Sequence, residues 1–269
     1  MHSAELVQGE VAAANRSRRF AVAWRNTWRD TSPGLIAPVA VLDYDDVGYR
    51  FEYLHNVDQI PDFRPFLGFP DLRRVYEAQR LWPFFALRIM DRKRPDYRDY
   101  LARLGLPGDA SPLDVLSRSG GEQKGDSVYL AEEPQVAEDG QTEATFLVRG
   151  ASHATREYSS ADSAVQLRPG DRLMMIPDRE NPVNSEAILL ASEAGAPVGW
   201  VPDLLIRYAR AVHSGGVRHV TVVRNNGPES PWHLRFLVRL VGRVPPSLHV
   251  FSDDQWPRRP ARIQIGPVG

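Results

Sequence analysis

The chain has 269 residues, 42% apolar and 25% charged, with a formal net charge of -1, the balance of a globular protein long enough for two domains. It contains no cysteine, which excludes disulfides, thiolate nucleophiles and every cysteine-based zinc site. No apolar run is long enough to cross a bilayer, and Glu5 and Glu10 stand where a signal peptide needs a basic head and an unbroken apolar centre, so a cytoplasmic location is expected.

In chain order, residues 1–19 are polar and small and read as a flexible arm, its Arg16, Arg18 and Arg19 as solubilising groups. Apolar runs at 20–24, 36–42 and 49–54 are separated by Asp30-Thr31-Ser32-Pro33-Gly34 and by Asp45-Asp46 with Gly48, which predicts a β-meander. Asp43, Asp45 and Gly48 approach a calcium loop, but Val47 and Leu54 stand at two ligand positions, so no metal is expected. Residues 63–71, with Pro65, Gly68 and Pro70 among three phenylalanines, read as a loop packed by its own side chains. Residues 72–90 have near-helical apolar spacing, broken at Pro83. A helix at 95–104 ends at Gly105, and Ser111 with Asp114 predicts a capped helix over 112–117. A strand follows at 127–130.

Residues 131–144 are acidic, carry Pro134 and Gly140 and lack aromatics, the composition of a linker. Beyond them the pattern predicts strands at 145–149, 172–176, 186–191, 198–201, 217–224 and 233–241, a single helix at 202–214, and a C-terminal tail at 252–269. The predicted class is therefore α+β: an N-terminal meander with short helices over 20–130, then a six-stranded barrel with one main helix over 145–251.

Charge divides along the same line, with 18 basic and 22 acidic residues before Gly140 and 15 and 12 after it. Between Leu204 and Arg243, Arg207, Arg210, Arg218, Arg224, Arg235, Arg239 and Arg243 face only Glu229. That run reads either as a polyanion-binding surface or as an ordinary solvated face.

The stretch 169–203 carries a resemblance. Gly170-Asp171, Asn181-Pro182, Ala187-Ile188 and Val198-Gly199, in the strand order above, resemble the HIRAN domain, a small β-barrel that binds single-stranded DNA at 3′ ends. The resemblance implies that the turn after the second strand holds the terminal nucleotide. Where the family has Tyr-Asp in that turn, this chain has Val183-Asn184, and Glu186 stands where the family often has an amide. Asn181 and Asn184 read either as turn caps or as ligand donors. Gly150-Ala151-Ser152-His153 stands where the family has Gly-x-Arg-aromatic, leaving His153 a ring and Arg149 the replacement cation or a solvated strand residue. Trp200 reads first as core and second as a ligand face. Trp232 and His233 are candidates for base stacking, and Arg207, Arg210 and Arg224 for phosphate contact.

Residues 51–130 resemble the N-terminal subdomain of HipA-type kinases, through Phe51-Glu52-Tyr53, Pro83-Phe84-Phe85-Ala86 and Pro112-Leu113-Asp114-Val115-Leu116 before Gly120-Gly121. No Gly-rich phosphate loop, His-Arg-Asp or Asp-Phe-Gly segment accompanies them, so no phosphotransfer is expected. No Gly-x-Ser-x-Gly, His-Glu-x-x-His or dinucleotide loop occurs either. The expected function is non-catalytic, without cofactor: binding of single-stranded DNA or DNA 3′ ends in genome maintenance or defence. The alternative is a protein-interaction or antitoxin-like adaptor acting through residues 20–130.

Overall fold

The computed structural model describes residues 17–25, 36–123, 125, 127–158, 166–216, 218–251 and 256–258. Most of the arm, the turn at 30–34, Lys124, Val217 and most of the tail lie outside the described residues. The fold is α+β. Its first sheet holds β1 (Arg18–Arg25), β2 (Ile36–Tyr44), β3 (Tyr49–Tyr53), β4 (Tyr76–Ala78) and β5 (Val128–Glu132), antiparallel in the order β4-β3-β2-β1-β5.

The two-residue period of β1 decides what each face of this sheet meets. Phe20, Val22 and Trp24 enter an aromatic layer with Phe51, Tyr53, Phe69 and Phe85. Ala21 and Ala23 point the other way, where their small side chains let a second sheet approach. Tyr53 is buried, and its hydroxyl donates to the Phe69 carbonyl at 3.0 Å and accepts from the Phe66 N–H at 2.6 Å, which pins the 63–71 loop to the layer.

Three helices follow, α1 (Pro83–Ala86), α2 (Tyr97–Arg103) and α3 (Pro112–Ser119), of which α1 and α3 close this layer. In α3, the Ser111 hydroxyl accepts from the Asp114 N–H at 3.2 Å and the Asp114 carboxylate accepts from the Ser111 N–H at 2.8 Å, a reciprocal cap; the helix stops at Gly120, with φ 70°. The helix expected from residue 72 does not form. Tyr76 instead starts the edge strand β4, because its ring packs edge-on against Phe69 at 5.1 Å and its hydroxyl accepts from the Asp71 N–H at 2.8 Å. Pro83 then opens a single helical turn.

The second sheet holds β6 (Gln141–Leu147), β7 (Arg172–Pro177), β8 (Ile188–Ser192), β9 (Pro197–Trp200), β10 (Arg218–Asn225) and β11 (Phe236–Arg243), in the order β6-β11-β10-β7-β8-β9. It curls into a half-barrel. Two further helices accompany it, α4 (Ala151–Tyr158) and α5 (Ile206–Ser214). α4 stands where sequence reasoning saw only the end of a strand. The strand expected from His233 begins at Phe236, because a 3-10 turn occupies Trp232–Leu234. Residues 131–144, linker-like in composition, supply the end of β5 and the start of β6, and the connection between is tied down by the Thr142 hydroxyl donating to the Gln135 carbonyl at 2.6 Å. Arg18 and Arg19 belong to β1, paired with Asp114 and Glu132 and with Asp43.

The sheets share a core. Ala21, Ala23, Tyr129 and Ala131 of the first pack with Phe146, Leu190, Val198, Tyr208 and Phe236 of the second half. A further cluster joins α2 and α3, through Leu101, Leu104 and Val115, to Leu147 and Leu237. Among the described residues, no helix is long and apolar enough to cross a membrane.

Candidate nucleic-acid interface

Two glycines bring the ends of the curled sheet together. Gly199 has φ 141°, and a Cβ there would lie 2.5 Å from the Arg149 carbonyl oxygen; Gly150 has φ 62°, and a Cβ there would lie 2.7 Å from Cε3 of Trp200. Without side chains at these positions, Arg149 and Trp200 exchange N–H to carbonyl bonds of 2.8 Å in both directions, joining the segment after β6 to β9.

Trp200 is half-buried against Gly150, and its indole N–H donates to Asp178 Oδ2 at 2.8 Å. The same oxygen accepts from Asn181 Nδ2 at 3.0 Å. Asn181 Oδ1 accepts the N–H groups of Val183 and Asn184, both at 3.1 Å. Asn184 Oδ1 accepts the Glu186 N–H at 2.9 Å, and its Nδ2 donates to Asp203 Oδ1 at 2.7 Å. Both asparagines thus act as internal caps of the turn between β7 and β8, the first of their two readings. Val183 in the same turn is exposed.

Arg149 forms an ion pair with Glu122, and its guanidinium carbon lies 5.6 Å from the centre of the Tyr129 ring. Arg25 lies 4.6 Å from the same ring. The Tyr129 hydroxyl is buried with no hydrogen-bond partner among the described residues. Burial raises its pKa above the ordinary phenol value, Arg25 and Arg149 oppose the rise, and Glu122 and Asp203 reinforce it. His233 feels the same group: partial desolvation and Arg149 lower its pKa, Glu122 pulls the other way, and the ring is mainly neutral at pH 7.

The remaining candidates surround this point or lie away from it. Arg210 is paired with Glu186, so the carboxylate at the end of that turn is neutralised from α5. Arg207 is exposed on the same helix. Trp232 is 41% exposed, but the Arg235 guanidinium lies 4.2 Å from the ring centre and takes up one face. His153 is exposed on α4, its N–H donating to the Gly150 carbonyl at 2.9 Å, so it stands on a helix rather than beside a strand. Arg224 is exposed on β10, separated from β6 by β11.

No protein-family model, curated protein or solved structure matches the chain. The site is therefore argued from its own chemistry. It offers guanidinium groups at the joined edges, an indole held by a carboxylate, and a basic surface on α5, β10 and β11. Among the described residues no group of three or more His, Asp or Glu is arranged to hold a metal. Asp45 spends its carboxylate on the Val47 and Gly48 N–H groups at 2.8 and 3.1 Å, as a turn cap.

Sequence reasoning missed Glu122, Tyr129 and Asp203. Glu122 and Tyr129 belong to the first half of the chain and carry no local motif pointing to Arg149. Asp178 carries no local motif either; its role as acceptor for Trp200 depends on how β7 and β9 flank β8.

Proposed function

We propose that the protein is a non-catalytic DNA-binding protein, in which the curled sheet, taken as a HIRAN-like barrel, binds single-stranded DNA or DNA ends. The observation that carries this reading is the convergence of Arg149, Trp200 and His233 where the sheet's ends join, with the exposed Arg207 on α5 and Arg218, Arg224, Arg239 and Arg243 on β10 and β11 adding positive charge elsewhere on the same half of the chain. The Arg239–Glu143 and Arg243–Asp139 pairs, at 3.6 and 3.5 Å, are half-exposed and weak, so a phosphate backbone competes with them readily. Because Asn181 and Asn184 serve the turn and Val183 has no hydrogen-bonding group, binding is to the strand and indifferent to its 3′ group.

Fluorescence anisotropy tests this with single-stranded DNA carrying a 3′ hydroxyl, a 3′ phosphate or a 5′ overhang, at two salt concentrations. The expected result is similar affinity for the 3′ hydroxyl and 3′ phosphate strands, falling with salt by a log-log slope of about −0.7 per neutralised phosphate. No binding to any of them overturns the proposal.

A second reading, an adaptor acting through residues 20–130, is favoured by Leu67 and Leu87, which are 88% and 75% exposed on the aromatic half. It requires a specific protein that co-purifies with the full chain and is lost when both leucines become Asp; retention by the double variant counts against it.

A further inference from the structure

Each sheet ends in a strand with one open edge at the same cleft. β5 is the last strand of the first sheet and β6 an end strand of the second, and they are not paired with each other. Leu130, Ala131, Glu132 and Glu133 line one side of a cleft of about 340 Å³; Glu143 to Leu147 line the other, and Ser117, Arg118 and Gly120 from the end of α3 cover it.

The direction of the backbone groups follows from the bonds that are made. Val148 N–H donates to the Phe236 carbonyl, so Val148, Phe146 and Ala144 turn toward β11, and Leu147, Thr145 and Glu143 turn their N–H and C=O groups into the cleft. Gln141 is already engaged, its carbonyl accepting the Ala137 N–H at 2.8 Å. On the other side, Leu130 N–H reaches the Gly120 carbonyl at 2.8 Å, which by the same alternation turns the backbone of Glu132 into the cleft. Facing edges of this kind are templates for one more strand.

A charge is waiting there as well. Arg118 lines the cleft, and its Nε is buried with no hydrogen-bond partner among the described residues. Burial lowers its pKa below the usual guanidinium value, although Glu132, Asp114 and Glu143 act to raise it. Those carboxylates are engaged elsewhere: Arg18 holds Asp114 at 2.8 Å and Glu132 at 2.6 Å, and Arg239 lies 3.6 Å from Glu143. Glu133 accepts the Phe251 N–H at 2.8 Å. A buried polar group left without a partner is costly, and an incoming carboxylate removes that cost.

We infer that this cleft binds an extended polypeptide segment of a partner protein, which adds a strand to the edge of β6 and places an Asp or Glu side chain on Arg118. The strand edges supply main-chain affinity without sequence preference, and Arg118 supplies the selection for acid. The cleft adjoins the joined edges proposed to meet DNA, since Arg149 also lines it, but the inference rests on Arg118 and the free edge of β6, so the outcome of its peptide test does not decide that reading.

The test pans phage-displayed random octapeptides on the full-length chain and remakes the enriched sequences as free peptides. Enrichment of peptides carrying Asp or Glu is expected, with amide NMR shifts at Thr145 and Leu147 on titration. Exchanging the peptide's acid for its amide should weaken binding at least tenfold, and R118Q should erase the difference between the two peptides. T145P removes an N–H that β11 does not use and should abolish binding. No enrichment, or enriched peptides whose binding is unchanged by the acid-to-amide exchange, overturns the inference; that exchange leaves the protein intact, so the result stands even where a variant fails to fold.

Discussion

The aromatic layer under the first sheet and the aliphatic interior of the second are built on different plans. The first draws most of its rings from one stretch, Phe51 to Phe85, with ring centres of Phe51 and Phe69 only 4.2 Å apart. The second gathers Val, Leu and Ala from strands scattered over the rest of the chain, and it is completed by Ala21, Ala23, Tyr129 and Ala131 of the first sheet. A locally sourced core is self-sufficient, whereas a distributed one depends on its neighbour. Three groups with unsatisfied or shared chemistry, Arg149, Tyr129 and Arg118, lie where the two meet.

This contrast can be broken most strongly at Phe51. Phe51→Ala removes a fully buried ring and should cost about 3–5 kcal/mol in urea unfolding, with a single transition because the shared core couples the sheets. Two separate transitions would show the halves to be independent. Ala21→Leu tests the seam itself: overpacking at a fully buried position between the sheets should cost about 1–3 kcal/mol. If it proves neutral, the seam is looser than the shared cluster implies. Gly199→Ala places a Cβ 2.5 Å from the Arg149 carbonyl at positive φ, and a loss of about 1–3 kcal/mol by thermal melting is expected, with protection of the Arg149 and Trp200 amides from hydrogen exchange reduced.

Smaller effects belong to the first half alone. Ser111→Ala removes the cap of α3 and should cost about 1 kcal/mol. For Asp114, burial favours the neutral acid, but hydrogen bonds from Ser111 and the charge of Arg18 outweigh it and hold the carboxyl below its ordinary value of 3.8. A depressed carboxylate stabilises the fold above its unfolded pKa, and the contribution is lost as pH falls from about 4 through the folded value. A stability profile across pH 2–5 should therefore be flatter in Asp114→Asn than in the parent chain.

What could be read from the sequence was what neighbouring residues decide. The Ser111–Asp114 cap, the meander and the turn capped by Asn181 depend on groups a few positions apart, and their letters suffice. β4 escaped because Leu72, Val75 and Tyr76 have helical spacing, and only the distant Phe69 and Phe51 rings draw Tyr76 into a strand. α4 escaped because Gly150 reads as the end of a strand, when in the fold it is the point where Trp200 crosses. Within the site, Arg149, Trp200 and His233 were legible as residue types suited to a strand of nucleic acid. Their partners Glu122 and Asp178 were not, since an ion pair between positions 122 and 149 leaves no periodic trace.

The reciprocal bonds between Arg149 and Trp200 also carry a kinetic meaning. They join positions separated along the chain by two strands and a helix, so the loop they close is long, and its entropic cost must be met before the bonds can form. Contacts of this kind are expected to form late, after β7, β8 and β9 have found one another. Weakening them should leave the rate of folding nearly unchanged and hasten unfolding. The latch at Arg149 and Trp200 thus governs how long the folded sheet persists more than how quickly it is reached.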